Sequence, residues 1–389
     1  MNKNTLFKGL TKDTFLLALT SFFADISTEM LYPVLPIFLT QTLKASAGIV
    51  GLVEGVAEAT QNIIQGFSGS ISDKLRKRKN IAVLGYSLAA VSKPLIGLSS
   101  VWQFVLGTRF LDRMGTGIRS APRDALIASS ADTQNTGKAF GLEGIGDNFG
   151  AFVGPLVAIV LIFTFGLNLR HVFYIAFIPG LMAVIMVLLV KEKDVILKTG
   201  TNLNFSLKRL PKLYWKYILV TILFGLGNSS NSFLILRTKN IGVSLEETIL
   251  VYAFFNLVAA FASYPAGMLS DKIGRRNILL ISFLIFFVTY LGFAVSTDII
   301  LIILLFIFYG LYQGIFRSVG KALATDLVPL ELRASGVGWY STAVGLTSLF
   351  ASVVGGQLWT MVNPSATFYF GACSAIIGSA ALLLLFPKR

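Results

Sequence analysis

Three pairs of acidic residues lie inside long apolar stretches of the sequence. Within each pair the two residues are four positions apart, so a helix would place both carboxylates on one face. The pairs are Asp25 and Glu29, Glu54 and Glu58, and Glu143 and Asp147. A carboxylate in apolar surroundings is costly unless it pairs with a cation or takes up a proton. Proton uptake and release is therefore the chemistry that these pairs could perform.

The candidates for proton coupling are Asp25, Glu29, Glu143 and Asp147. The first two are favoured because Pro33 and Pro36 interrupt their helix and would let it move.

Basic and amide side chains occupy the same apolar stretches and could line a substrate cavity together with some of the acids. The predicted cavity residues are Glu54, Glu58, Asp112, Arg113, Arg119, Arg123, Asn228, Asn231, Gln313, Arg317 and Lys321. Charged residues within a bilayer are expensive, which makes them functional candidates. An alternative is that the arginines and carboxylates form fixed pairs that hold the first half of the chain rigid.

The composition predicts an all-α integral membrane protein to carry these residues. The chain has 389 residues, of which 54% are hydrophobic and 13% charged, whereas about a quarter of a soluble domain is charged. At about 30 residues for a membrane helix and its connection, roughly a dozen spans fit. We number the predicted spans 1 to 12, at residues 14–40, 46–70, 80–99, 102–128, 138–165, 171–190, 214–238, 247–269, 278–296, 299–325, 334–361 and 366–386.

The two sets of six spans are related by an internal duplication. Equivalent polar residues stand 198 positions apart in the pairs Asp73 and Asp271, Arg119 and Arg317, and Arg123 and Lys321. The predicted domains are a first six-helix bundle at residues 1–190, a basic linker at 191–212 and a second six-helix bundle at 213–389. An even number of spans in each copy gives both copies the same orientation.

The chain has a net charge of +14, and most of its lysines and arginines lie in short connections between apolar stretches. By the positive-inside rule, the termini and the linker are expected in the cytoplasm, with the protein in the inner membrane. This charge therefore reports topology and predicts no nucleic-acid partner. Cys373 is the only cysteine and His171 the only histidine, so neither a His/Cys metal site nor a cofactor site is expected.

Two charged segments between spans carry a family resemblance. The family pattern is G-x-x-x-D-[RK]-x-G-[RK]-[RK], and the segment GMLSDKIGRR at 267–276 matches it in full. The segment GSISDKLRKR at 69–78 matches it less well, because Arg76 stands in place of the second glycine. With twelve spans in two copies, the chain resembles the major facilitator superfamily over its whole length. The resemblance implies alternating access by rocking of the two bundles, gated at the cytoplasmic side. The gating candidates are Gly69, Asp73, Lys74, Lys77, Arg78, Gly267, Asp271, Lys272, Gly274, Arg275 and Arg276.

A motif in span 5 resembles the antiporter motif of the exporter branch of that family, typified by drug:proton antiporters. The matching residues are Gly141, Gly150, Gly154 and Pro155, with Ala158 where the family has a final glycine. Small residues four apart let helices approach closely, and the proline kinks the span. The resemblance implies a proton-coupled exporter.

The function predicted from these features is export of a small amphipathic solute or drug in exchange for protons, by a monomer in the lipid bilayer. Two other transport readings stay open. The bases of spans 4 and 10 could bind an organic anion or a siderophore-like metabolite, and the acid pairs could bind a divalent metal ion. An intramembrane aspartyl protease is a weak alternative, since GIGD at 144–147 matches part of that motif and the other elements are missing. No Walker A sequence occurs, so no ATP-driven pump is expected and a gradient must supply the driving force. With the other protease elements missing and His171 as the single histidine, the protein is not expected to be an enzyme.

Overall fold

The computed structural model describes residues 10–75, 77–130, 136–192, 210–329 and 332–386, with backbone only at 69–75, 136–137 and 333–334. All regular secondary structure in these ranges is helical. The first six helices are α1 (Lys12–Leu31, continued by Leu35–Ile37 and a π-helical turn, Phe38–Thr42), α2 (Ala47–Leu75), α3 (Arg78–Leu98), α4 (Trp102–Ser130), α5 (Thr136–Ile159, with a π-helical turn, Val160–Thr164) and α6 (Leu169–Leu189). The second six are α7 (Lys212–Gly225 and Ser232–Asn240), α8 (Leu245–Ile273), α9 (Arg275–Val295), α10 (Ile299–Asp326), α11 (Arg333–Met361) and α12 (Pro364–Leu385).

In the described part of the chain, nine helices are long and apolar enough to cross a membrane. The three others are α2, α4 and α7. The first two carry several charged residues, and α7 is broken between Gly225 and Ser232. The prediction of one continuous span at 214–238 was therefore wrong in this detail. The interruption of span 1 was predicted from its prolines and is confirmed, because α1 breaks after Leu31.

The helices pack as two bundles, α1–α6 and α7–α12. In the first bundle, α1 packs on α5 and α6, and α4 packs on α2 and α3. In the second bundle, α10 packs on α8 and α9, and α12 packs on α7 and α9. The bundles meet along α2 with α11 and along α5 with α8.

These two inter-bundle contacts reproduce the internal duplication. Glu58 in α2 accepts a hydrogen bond from Ser348 in α11. Asn256 in α8, which is 198 positions after Glu58, donates to the Ala151 carbonyl of α5 at 3.5 Å. Position 348 is itself equivalent to position 150, the neighbour of Ala151. The two bundles are therefore related by an approximate two-fold axis that runs between the contacts.

The bundles are closed at one end of the molecule. We call the end where α6 ends and α7 begins the linker end, and the other end the far end. At the far end, Phe38 of α1 and Phe233 of α7 are fully buried in one hydrophobic cluster. There α2 and α11 touch through their backbones, since a Cβ on Gly51 would stand 2.1 Å from the Ser352 carbonyl oxygen.

At the linker end, α5 and α8 diverge. A Cβ placed on Gly141 or Gly144 of α5, or on Gly267 of α8, would meet no further heavy atom within 4 Å. This conformation is closed at the far end and open between α5 and α8 at the linker end.

Candidate substrate cavity and proton-coupling site

Four charged side chains from three helices form a network in the first bundle. Arg109 of α4 donates from Nε and Nη2 to the two carboxylate oxygens of Glu54 in α2, both at 3.0 Å, and from Nη1 to Asp112 at 2.6 Å. Lys93 of α3 donates to the other Asp112 oxygen at 2.5 Å. At most 1% of each side chain is exposed. We call these four residues the buried tetrad, and its two cations and two anions balance.

The buried tetrad changes the interpretation of Glu54 and Asp112, which the sequence placed among the cavity residues. Both carboxylates are enclosed, and each has both oxygens engaged by tetrad cations. Lys93 and Arg109 were not among the predicted site residues. The signal for both was present, because a base inside an apolar stretch is as unusual as an acid.

Glycines in α5 bring the first acidic pair against that helix. A Cβ on Gly150 would lie 2.4 Å from the Phe22 carbonyl oxygen, and one on Gly154 would lie 2.9 Å from the Cβ of Glu29. No larger residue would allow α1 to approach so closely. Pro155 is accommodated within α5, which continues to Ile159. Gly141, the remaining glycine of the predicted motif, makes no such contact.

The second acidic pair lies beside the first, at the junction of α1, α4 and α5. Glu143 accepts from Arg123 at 2.9 Å and from Ser21 at 2.7 Å. The Arg123 guanidinium also lies 3.8 Å from Asp147. The carboxyl group of Asp25 lies close to that of Asp147, and a Cβ on Gly150, about one turn further along α5, would stand 3.1 Å from the Asp25 Cβ. The structure thus brings together Asp25, Glu143 and Asp147 around one arginine.

The fourth candidate, Glu29, points to the second bundle instead. Its Oε2 accepts from the Tyr252 hydroxyl and from the Asn256 side chain of α8, both at 3.1 Å. The Tyr252 ring stacks on Tyr32 of α1, with 5.5 Å between the ring centroids. Together with the bond between Glu58 and Ser348, this contact means that two carboxylates of the first bundle accept hydrogen bonds from the second.

The other predicted cations of α4 have neighbours within the first bundle, but Nε of Arg113 and both Nε and Nη1 of Arg119 are buried without a hydrogen bond to any described residue. Arg113 lies 3.6 Å from Asp112 and donates to Gln61 at 3.0 Å. Arg119 is buried with its guanidinium 4.3 Å from the centre of the Tyr86 ring, a favourable cation–π distance.

The predicted polar residues of the second bundle lie in α10 and in the break of α7. Asn231 accepts from the Tyr309 hydroxyl at 2.8 Å and donates to Gln313 at 3.4 Å. Asn228 is half-buried in the same break. Arg317 and Lys321 are exposed, and within the described ranges neither forms a side-chain hydrogen bond or ion pair at bonding distance. These two cations are therefore available to an external group.

The predicted gating residues are only partly described. In the second motif, Gly274 has φ +91°, a conformation that favours glycine, and it separates α8 from α9. Arg275 lies 3.2 Å from Asp271 and also pairs with Asp326 of α10. In the first motif, the side chains of Gly69, Asp73 and Lys74 and all of Arg76 lie outside the described residues.

The start of α3 binds a carboxylate from beyond α6. The backbone amides of Arg78 and Lys79 donate to Glu192, at 2.9 and 3.2 Å. A carboxylate at this position satisfies unpaired amides and complements the helix dipole. This contact joins the first motif to the end of the first bundle.

Comparison with known sequences places this fold and site in a family. The chain matches the sequence model of the Major Facilitator Superfamily over residues 17–236 and again over residues 217–389. It therefore belongs to this family, and it is a multi-pass membrane protein and a secondary transporter of the major facilitator fold.

Individual relatives span nearly the whole chain. An uncharacterized MFS-type transporter of Methanocaldococcus jannaschii is 38% identical, covering 97% of this chain and 96% of its own. The quinolone resistance protein NorA of Staphylococcus aureus is 22% identical, covering 91% and 88%. Among solved structures, a variant of the nucleoside transporter NupG has a TM-score of 0.81 at 15% identity, covering 96% of this chain and 100% of its own. A D-xylose-proton symporter has a TM-score of 0.75 at 18% identity, covering 96% of each chain. The two structures share the fold, and their identities carry no information about the substrate.

Proposed function

We propose that this protein exports a small amphipathic solute from the cytoplasm in exchange for protons. The observation that carries the proposal is the group formed by Asp25, Glu143, Asp147 and Arg123, in which two carboxyls lie close together beside one guanidinium. Two neighbouring carboxyls repel when both are ionised, which makes such a pair a suitable place for proton exchange in a carrier. Arg123 holds Glu143 more closely than Asp147, at 2.9 Å against 3.8 Å, so the proposal takes Asp25 and Asp147 as the exchangeable pair.

The position of this pair suits a carrier that works by alternating access. Asp147 lies in the part of α5 that faces the opening at the linker end, and 44% of its side chain is exposed. Asp25 lies on α1, one turn before Glu29, which bonds to α8 of the other bundle. A change of charge at the pair would therefore act on the helix that links the bundles, and rocking of the bundles would expose the pair to the other side.

The direction of transport rests on two supporting observations. The basic linker and termini favour a cytoplasmic linker end in the inner membrane, so the opening between α5 and α8 would receive solute from the cytoplasm. The antiporter motif supplies the glycines that fit α1 against α5, and the distant similarity to NorA is consistent with an exporter.

Neutralising the pair is expected to uncouple solute movement from protons. In proteoliposomes with an acidic interior, the wild type should accumulate a transported member of a panel of quinolones, cationic drugs and organic anions above its external concentration. Asp25→Asn and Asp147→Asn should lose this accumulation and retain solute exchange at equal concentrations, because binding and rocking remain while proton carriage is lost.

Glu246→Gln provides the control, since it removes an exposed carboxylate at the far end, away from the pair. It should accumulate solute as the wild type does. Full accumulation by Asp25→Asn and also by Asp147→Asn would remove this pair from the mechanism.

A further inference from the structure

The two bundles present opposite charges to the space between them. Among the described residues of α7–α12, every acid lies near a helix end, namely Glu246, Glu247, Asp271, Asp298 and Asp326. The cations Arg317 and Lys321 of α10 are exposed and lie further from the helix ends than any of these acids, whereas Glu29 and Glu58 of the first bundle bond to α8 and α11. From this arrangement we propose that the transported solute is dipolar, with an anionic group that binds Arg317 and Lys321 and a cationic group that binds the carboxylates. This inference rests on the proposed transport function and specifies its substrate class.

The duplication explains why these two cations are unsatisfied. In the first bundle, Arg119 is covered by Tyr86, and Arg123 is paired with Glu143 and Asp147. The equivalent cations of the second bundle, 198 positions later, have lost those groups. The positions equivalent to Tyr86, Glu143 and Asp147 are occupied by Leu284, Ser341 and Gly345. The second copy has therefore kept the cations without the ring that covers the first and the carboxylates that pair with the second, which leaves both cations open to a partner from elsewhere.

The opposite charges face each other across a gap. Arg317 interacts electrostatically with both Glu29 and Glu58, although Arg113 of their own bundle interacts with each of them more strongly. In the described structure, however, no Arg317 nitrogen comes within the 4.0 Å of a carboxylate oxygen that an ion pair requires. Charges of opposite sign that stay apart bind a molecule with complementary charges at its two ends more strongly than a singly charged one.

Both carboxylates also keep hydrogen-bonding capacity for a ligand. Glu29 accepts its two bonds from α8 at Oε2, and Glu58 accepts from Ser348 at Oε2. The Oε1 atoms of both residues accept no side-chain hydrogen bond from any described residue. An ammonium group has three donors and could bridge these atoms. Arg317 can bind a carboxylate or phosphate in a bidentate manner, which a lysine cannot do.

A matched set of probes tests the proposal by equilibrium binding to the full-length protein in nanodiscs, without any gradient. The first set is tryptophan, tryptamine and indole-3-propionate, which share a ring and differ in charge. The second set replaces the indole ring with a twelve-carbon alkyl chain. In at least one set, the dipolar probe should bind at least about tenfold more tightly than the cation and the anion. Arg317→Gln and Lys321→Gln should each bring the affinity for the dipolar probe closer to that for the cationic probe. Arg317→Lys should show a dipolar preference between that of Arg317→Gln and that of the wild type.

Lys216→Gln serves as the control, because it removes an exposed positive charge from the linker end of the same bundle. It should keep the wild-type preference. The proposal would be overturned if the dipolar probe bound no more tightly than the cationic probe in both sets, or if neither set showed a dipolar preference. It would also be overturned if the preference were unchanged in Arg317→Gln and Lys321→Gln. Since no proton gradient is present, this result is independent of whether transport is coupled to protons.

Discussion

Asp112→Asn is expected to lower the free energy of unfolding by about 3–5 kcal/mol, the range for breaking one partner out of a buried ion pair. Asp112 accepts from Lys93 and from Arg109, and both cations are fully buried. The substitution leaves one uncompensated positive charge inside the first bundle. Thermal or denaturant unfolding of the purified protein in detergent measures the loss.

A double variant separates the effect of an unbalanced charge on stability from the effect of altered side-chain packing. Lys93→Met combined with Asp112→Asn removes one charge of each sign and leaves Arg109 paired with Glu54. It should be more stable than Asp112→Asn alone, since neighbouring partners are not additive. If Asp112→Asn changes stability by less than about 0.5 kcal/mol, or if the double variant is no more stable than Asp112→Asn alone, the buried tetrad is not held by charge balance.

Gly51→Ala is expected to open the far end of the molecule. The added Cβ would stand 2.1 Å from the Ser352 carbonyl oxygen of α11, a distance that no packing allows, so α2 and α11 must separate there. The opening can be measured as the rate at which a maleimide labels Leu234→Cys in a Cys373→Ser background, because Leu234 is buried in this conformation. If the closed state becomes less stable than the open state by roughly 1.4 kcal/mol or more relative to the unsubstituted background, labelling should become at least about tenfold faster.

Gly48→Ala is the matched control one turn away on the same helix. A Cβ at Gly48 would meet its nearest neighbour, the Gln357 side chain, at 3.5 Å, an ordinary contact. Its labelling rate should equal that of the unsubstituted background. Equal labelling rates in Gly51→Ala and Gly48→Ala would show that this close approach does not hold the far end shut.

Periodicity and composition were sufficient for the fold, because the bilayer admits few solutions. Every span needs about 20 apolar residues with its backbone bonds satisfied internally, and this requirement appears directly in the sequence. The break of α7 was missed although the polar run GNSSNS at 227–232 interrupts the apolar pattern, because Asn228 and Asn231 were interpreted as polar residues of one continuous span. These asparagines lie in the break and not on a continuous helix.

The partners of the charged residues could not be predicted in the same way. A spacing of four shows that Asp25 and Glu29 share a face, and it does not reveal that the first meets α5 while the second bonds to α8. The pairing of Asp112 with Lys93 depends on the rotation and depth of two separate helices. The close fit of α1 on α5 was signalled by Gly150 and Gly154, since small residues at a spacing of four mark close approach.

The central claim is the exchange of solute for protons, and proton movement in wild-type proteoliposomes tests it most directly. The vesicles hold a trapped pH dye and no imposed pH gradient, and panels of dipolar, cationic and anionic solutes are added outside. We predict that entry of a transported solute alkalinises the lumen, because antiport moves protons out as solute moves in. Asp25→Asn and Asp147→Asn should each abolish this change, and acidification of the lumen would indicate symport. Solute uptake by the wild type with no change of lumenal pH would contradict the account.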